Sequence, residues 1–327
     1  MKKRSHRLDK MARVYDEEIL PIWSQRFGRM LLRELVIPPK AMILDVGCAT
    51  GYPSLDLLRR MDDHGRIIAI DPLGPLLDVA RKKAGDLAGK RIFFRSEAAT
   101  YKLAFADEVY DLVFSNLGVM RLDSPRKAIA EFARVTKCGG RTLITLPLAG
   151  TYDEFFDIYR EVLTKNDQHD VLSRLEDHIA LTPDVDTVVS WMEQAGLKEL
   201  DVEVEQFTLL FRSSREFFFA PIIEFGPLSE WKEVAGKGKV MQEIFWHIKE
   251  AIDAYFSDRA FEITVKAGCF RGTKPAIPQA EPIAAQTPPR RDATPAAPLR
   301  PADTTPVPPE PAFDDDFRLD DEEEELT

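Results

Sequence analysis

"AMILDVGCATGYPSLDLL", residues 41–58, runs from an apolar stretch into Asp45 and then into Gly47 and Gly51. A short, continuously apolar run bounded by turn formers is the pattern of a strand buried on both faces. "PSLDLLRRM" behind it reads as a helix, so the glycines fall in a strand-to-helix turn. They allow backbone angles that a side chain forbids and let main-chain N–H groups approach a ligand closely. Asp45, at the strand's end, offers an acceptor to a cationic or hydrogen-bond-donating group.

The alternation continues. Strand candidates "RIIAID", "RIFFR", "YDLVFS" and "RTLITLPL" follow, separated by helix candidates "PLLDVARKKAGDL" and "SPRKAIAEFARVTK". The last helix has Ser124 as an N-cap, Pro125 at its first position and "CGG" at its end. Strands and helices in strict alternation predict a doubly wound, mostly parallel sheet with helices on both faces. In such sheets ligands sit beyond the carboxyl ends of the strands, which directs attention back to residues 45–51. A dinucleotide fingerprint fails at two of its three positions, since Gly47 is followed by Ala49 and Tyr52. "GYPS" has no lysine to neutralise phosphate, which argues against a nucleoside triphosphate.

Four segments in order, "LDVGCATG", "AIDP", "RSEAATYKLAFADEVYDLVFSN" and "RVTKCGGRTLITLP", resemble the class I S-adenosylmethionine-dependent methyltransferases. The likeness covers roughly residues 41–148 and is to the small-molecule group (methyltransferase type 11) that includes ubiquinone- and biotin-pathway enzymes. It implies that Asp45, Gly47, Cys48, Ala49 and Gly51 form the loop around the methionine part of the cofactor. Asp71, followed by Pro72, would accept hydrogen bonds from the ribose hydroxyls, and Glu97 with Ala98 would lie beside the adenine. Ser115 and Asn116, within "FSNLGV", would face methyl donor and acceptor, and Tyr15 with Asp16 would fold over the cofactor. Ala49 departs from the family's middle glycine, and Cys138 from the proline of its "KPGG" turn.

Other readings of these residues stand beside these. Asp71 precedes Pro72 and could simply cap the next helix; Glu97 could be a solvated acid. Asn116 could orient an acceptor, as a weak catalytic candidate, or satisfy loop backbone. None of the five histidines stands out as a general base.

Composition narrows the remainder. Across 327 residues, 44 Lys and Arg face 55 Asp and Glu, a net charge of −11 that argues against a phosphate-backbone partner. The absence of the "NPPY" tetrad and the Pro-Cys nucleophile of nucleic-acid methylation agrees. Three widely spaced cysteines suggest neither disulfides nor a metal site and fit a reducing cytoplasm. No run is apolar enough to span a membrane. From 271 onward the chain holds 12 of its 23 prolines, with 6 basic and 13 acidic residues, ending in "DDDFRLDDEEEELT". Such a segment is expected to be disordered, with docking of a basic protein as its minority use.

The expected organisation is an N-terminal helical lid over 1–40, broken near Pro21, a cofactor-binding core over 41–150, substrate-side helices with the last two strands over 151–270, and the tail over 271–327. "LKELDVEVEQFTLLF" and "AFEITVKAGCF" complete a seven-stranded sheet, the latter reversed, with a helical insertion between them. Thr182 and Pro183 are expected to start the helix in "TPDVDTVVSWMEQAG". Phe217, Phe218, Phe219, Trp231, Phe245, Trp246, Tyr255 and Phe256 line an acceptor pocket on one reading and pack a core on the other. The implied activity is methyl transfer to a small-molecule or carrier-bound acceptor. The alternative is a catalytically idle adenosylmethionine-binding protein that recruits a partner.

Overall fold

The computed structural model describes residues 6–97 and 101–276, and all that follows concerns those residues. Helix α1 (His6–Val14) passes through one π-helical turn (Tyr15–Ile19), breaks at Pro21 and resumes as α2 (Ser24–Leu32). The core follows as β1 (Met42–Val46), α3 (Ser54–Leu58), β2 (Arg66–Asp71), α4 (Gly74–Ala84), β3 (Ile92–Ser96), β4 (Tyr110–Asn116), α5 (Pro125–Val135) and β5 (Thr136–Pro147). Then come α6 (Asp153–Lys165), α7 (His169–Ile179), α8 (Val185–Gln194) and β6 (Lys198–Phe211). Four helices, α9 (Ser214–Phe219), α10 (Pro221–Glu224), α11 (Leu228–Ala235) and α12 (Gly238–Tyr255), precede β7 (Phe261–Thr273).

The seven strands form one sheet in the order β3-β2-β1-β4-β5-β7-β6. β1 to β5 are parallel, and β7 is antiparallel to both of its neighbours. The order reverses at β1, between β2 and β4, so the crevice outside the carboxyl ends of these strands is the ligand position of a doubly wound sheet. Successive strand residues face opposite layers. Ile43, Ile67 and Phe114 pack with Phe27, Met30 and Leu31 of α2 on one side. Leu44, Ile70 and Val113 pack with Ile129 and Phe132 of α5 and Met192 of α8 on the other. A third cluster joins α6, α7 and the helical insertion around Phe155, Trp231 and Ile248.

α2 is built into the core rather than laid over it. Phe27 is fully buried, 5.1 Å from the Trp23 ring and edge-on to Phe207 of β6 at 6.1 Å. Arg33, just beyond α2, pairs with Glu203 and Glu205 of β6.

Several boundaries differ from the expectation. α3 spans five residues and ends before Arg59. Ser124 holds the N-cap position of α5 without a side-chain cap bond. α8 starts at Val185, not at Thr182–Pro183, because the Asp184 carboxylate accepts the Thr187 N–H at 2.8 Å. "CGG" does not stop α5 in a loop: β5 begins at Thr136 and absorbs the glycines in an irregularity opposite Tyr110–Leu112. β7 continues through Thr273, past the expected tail start at 271. Arg271 is buried there, donating to Asp201 (2.8 Å), Glu203 (2.6 Å) and the Met30 carbonyl (2.6 Å). From residue 277 the tail lies outside the described residues.

If α2 is core, Phe27→Ala should lower unfolding stability by about 3–5 kcal/mol, as for other buried Phe truncations. Urea denaturation measures it; an unchanged midpoint would show α2 to be a detachable cover.

Candidate active site

The β1–α3 turn is held by the sheet beneath it. The N–H groups of Gly47 and Cys48 both donate to the Ile70 carbonyl of β2, at 2.8 and 3.0 Å. Gly47 (φ 83°), Ala49 (φ 45°) and Gly51 (φ 93°) all occupy the left-handed region. For the alanine this costs about 1 kcal/mol, which something must offset. Asp71 supplies it: Oδ2 accepts the Ala49 N–H at 3.0 Å, and Oδ1 accepts the Leu73 N–H at 2.9 Å. Thus Asp71 does order the start of α4, and at the same time fixes the glycine turn. Each of its oxygens keeps a second acceptor site. Burial raises its pKa, against the lowering effect of those two bonds.

Asp45 is fully buried. Its Oδ2 accepts from the Ser54 hydroxyl at 2.7 Å, whereas Oδ1 has no hydrogen-bond partner among the described residues; the same holds for the Thr50 hydroxyl. Burial pushes the Asp45 carboxyl up to about 8, opposed by the Ser54 bond and reinforced by the charge of Asp71. Cys48 is sealed, its thiol pushed well up by burial.

β4 closes the other wall. Ser115 Oγ donates to the Val46 carbonyl at 2.7 Å, zipping β4 to β1. Asn116 is engaged at both ends: Nδ2 donates to the Ser24 carbonyl at 3.1 Å and Oδ1 accepts from Thr145 Oγ1 at 2.7 Å. Ser24 in turn shares a 2.8 Å hydrogen bond with the Tyr15 hydroxyl. Burial raises the Tyr15 phenol, against the lowering effect of the Ser24 bond. Asp16 reaches Lys83 of α4 at 2.7 Å.

The adenine-side candidates are looser. Glu97 pairs with Arg95 at 2.7 Å, and its N–H meets the Asp71 carbonyl at 3.3 Å. Pro72 is exposed, and Ala98 lies outside the described residues.

The structure adds residues that motif reading passed over. Gly118 is pressed against the turn, so that a Cβ there would lie 2.7 Å from the Val46 carbonyl and 3.2 Å from Gly47 Cα. Ser24, Ser54 and Thr145 anchor Asn116, Asp45 and Tyr15. The glycine in "FSNLGV" was the available signal for Gly118; nothing local marks Ser24.

Residues 44–144, from β1 to β5, match the family described as methyltransferase domain. The ubiquinone/menaquinone biosynthesis C-methyltransferase of Idiomarina loihiensis is 28% identical over 172 residues, covering 49% of this chain and 68% of that protein. The core is a class I S-adenosylmethionine-dependent methyltransferase domain. A demethylmenaquinone methyltransferase of Renibacterium salmoninarum is 27% identical to this methyltransferase over 205 residues, covering 59% and 82% of the two chains. Among solved structures, the YcgJ protein of Bacillus subtilis shares its fold with a TM-score of 0.51 at 17% identity, over 77% of this chain and all of the other.

The residues of the methyltransferase fit S-adenosylmethionine. The turn presents left-handed backbone at three positions, and the crowding at Gly47 and Gly118 leaves no space for side chains. Asp45 Oδ1 is an unpaired acceptor of the kind a cationic ligand satisfies. Among the described residues no group of His, Cys, Asp and Glu could hold a metal ion, and no helix is long and apolar enough to cross a membrane.

Gly118→Ala should weaken S-adenosylmethionine binding about 5- to 150-fold by forcing the β4 loop away from Gly47, an overpacking effect of about 1–3 kcal/mol. Calorimetry giving a wild-type dissociation constant would refute this. For Asp45, the folded carboxyl titrates above its unfolded value of about 4. The native state therefore holds the extra proton between about pH 4 and 8, and ligand-free stability falls as pH rises through that window. Melting temperature should drop more steeply between pH 5 and 8 in the wild type than in Asp45→Asn; parallel profiles would remove Asp45 as the cause.

Proposed function

We propose that the protein moves a methyl group from S-adenosylmethionine to a small-molecule or carrier-bound acceptor by in-line displacement. The observation that carries this reading is the buried turn in which an unpaired Asp45 oxygen, left-handed Ala49 and the Asp71 staple meet. When bound, the cofactor supplies an electrophilic methyl on a sulfonium centre.

The chain's own part is to bind, orient and exclude water. Asp45 and the turn's main-chain groups would hold the methionine portion, with Gly47, Cys48, Ala49 and Gly51 in closest approach. Asp71 keeps acceptor capacity for the ribose hydroxyls, and Glu97 stands on the adenine side, next in the chain to Ala98. Ser115 and Asn116 fix the wall that faces the acceptor, and Tyr15 with Ser24 covers it. A dry, pre-aligned cleft suits a reaction that disperses positive charge, since desolvation and alignment supply much of the acceleration. The relatives' names, both quinone-pathway methyltransferases, support a small apolar acceptor for this chain as well.

Isotope transfer from methyl-labelled cofactor into a cell extract tests turnover: labelled small-molecule product is expected, and saturable cofactor binding with no labelled product would favour the idle-binder reading instead. Asp71→Ala should weaken cofactor binding by about 1–3 kcal/mol, through lost charge-assisted hydrogen bonds. Unchanged affinity by calorimetry would take Asp71 out of the site.

A further inference from the structure

Tyr152 is the residue immediately before α6, past the carboxyl end of β5, on the edge of the sheet where ligands of doubly wound folds sit. Its backbone is left-handed, with φ 68°, an uncommon conformation for an aromatic residue. The conformation is held from both sides. The Tyr152 N–H donates to the Thr264 carbonyl of β7 at 3.0 Å, and its own carbonyl accepts from Phe155 and Phe156, each at 3.0 Å.

The ring lies nearly parallel to Trp23, with centroids 6.3 Å apart and planes at 14°, and edge-on to Trp231 of the insertion at 5.2 Å. Trp23 also meets Phe207 at 6.0 Å. Trp23 precedes Ser24, whose carbonyl is fixed by Asn116 of β4. An aromatic wall thus joins the α2 start, the β5 end and the insertion beside the Asn116 anchor. Tyr152 is only 9% exposed, and its hydroxyl makes no hydrogen bond to the described residues without being sealed among the buried unpartnered atoms, so the donor is open to an incoming group. Burial raises the phenol's pKa, so it remains a proton-bearing donor.

We propose that Tyr152 is the acceptor-positioning residue of this methyltransferase: its hydroxyl donates a hydrogen bond to an oxygen of a flat, conjugated acceptor that rests against the Trp23 wall. This assignment rests on the methyl-transfer reading above. It explains why a strained backbone is kept at this position and why the hydroxyl is left unpaired in an otherwise aromatic surround. It also separates two tasks, since apolar contact with Trp23 and Phe207 tolerates many rings while a single donor fixes which edge of the ring faces the methyl group.

The test uses the full chain saturated with S-adenosylhomocysteine and two probes of matched shape, 2-acetylnaphthalene, which carries a carbonyl acceptor, and 2-ethylnaphthalene, which does not. Ligand-observed NMR titration should show the wild type binding the ketone about tenfold more tightly than the hydrocarbon, the yield of one buried hydrogen bond. Tyr152→Phe should abolish that preference while leaving hydrocarbon affinity unchanged, and Trp23→Leu should weaken both probes. Equal affinity of the two probes for the wild type, binding of neither, or a preference that survives in Tyr152→Phe would overturn the assignment. Calorimetry with S-adenosylhomocysteine on the same samples separates the two levels. Intact binding without a ketone preference sinks Tyr152 alone; no binding to the wild type sinks the methyl-transfer reading and this assignment with it.

Discussion

One carboxylate holds two chain segments that would otherwise drift apart. Asp71 ends β2 and accepts the N–H of Ala49 in one direction and of Leu73 in the other. The turn after β1 has three left-handed residues, one of which carries a side chain. Its conformation is selected from outside, by an acceptor on the neighbouring strand. Three segments take their position from this arrangement: the loop above β1, the start of α4, and Glu97, whose N–H returns to the Asp71 carbonyl.

The cover over the turn depends on a second chain of hydrogen bonds, running from Thr145 through Asn116 and Ser24 to Tyr15. It connects β5 and β4 to the N-terminal helices within the protein interior, where such bonds are stronger than in water and costly to leave half-made. The aromatic contacts of Trp23 and Phe27 with Phe207 bind the same helices to β6. The N-terminal helices are therefore part of the folded core.

Much of this was legible in the sequence because it is local. Asp45, Gly47 and Gly51 share one turn, Asp71 follows after one helix and one strand, and alternating apolar runs gave the sheet. The dual duty of Asp71 and the left-handed Ala49 were not legible, since the bond joining them spans 22 residues. Ser24 was invisible for the same reason, lying 92 residues from Asn116. Ser124 reads as a cap yet makes no capping bond, and the cap of α8 is Asp184 rather than Thr182, because side-chain direction decides and spacing does not. The sheet ran on to Thr273 because Arg271 found acceptors on β6 and α2, a long-range event that proline-rich composition nearby concealed.

β7 pairs with β5 only from Ala267 to Thr273, but with β6 from Phe261 to Thr273. The two-stranded ribbon thus overhangs the parallel sheet by six residues, about 20 Å at the usual rise per residue. The helices α9 to α12, inserted at the far end of this ribbon, pack with α6 and α7 in the cluster around Phe155 and Trp231. The first six residues of β7 are therefore held by strand pairing on one edge only and the last seven on both, so the far end of the ribbon takes its support from β6 and from the helices packed against it.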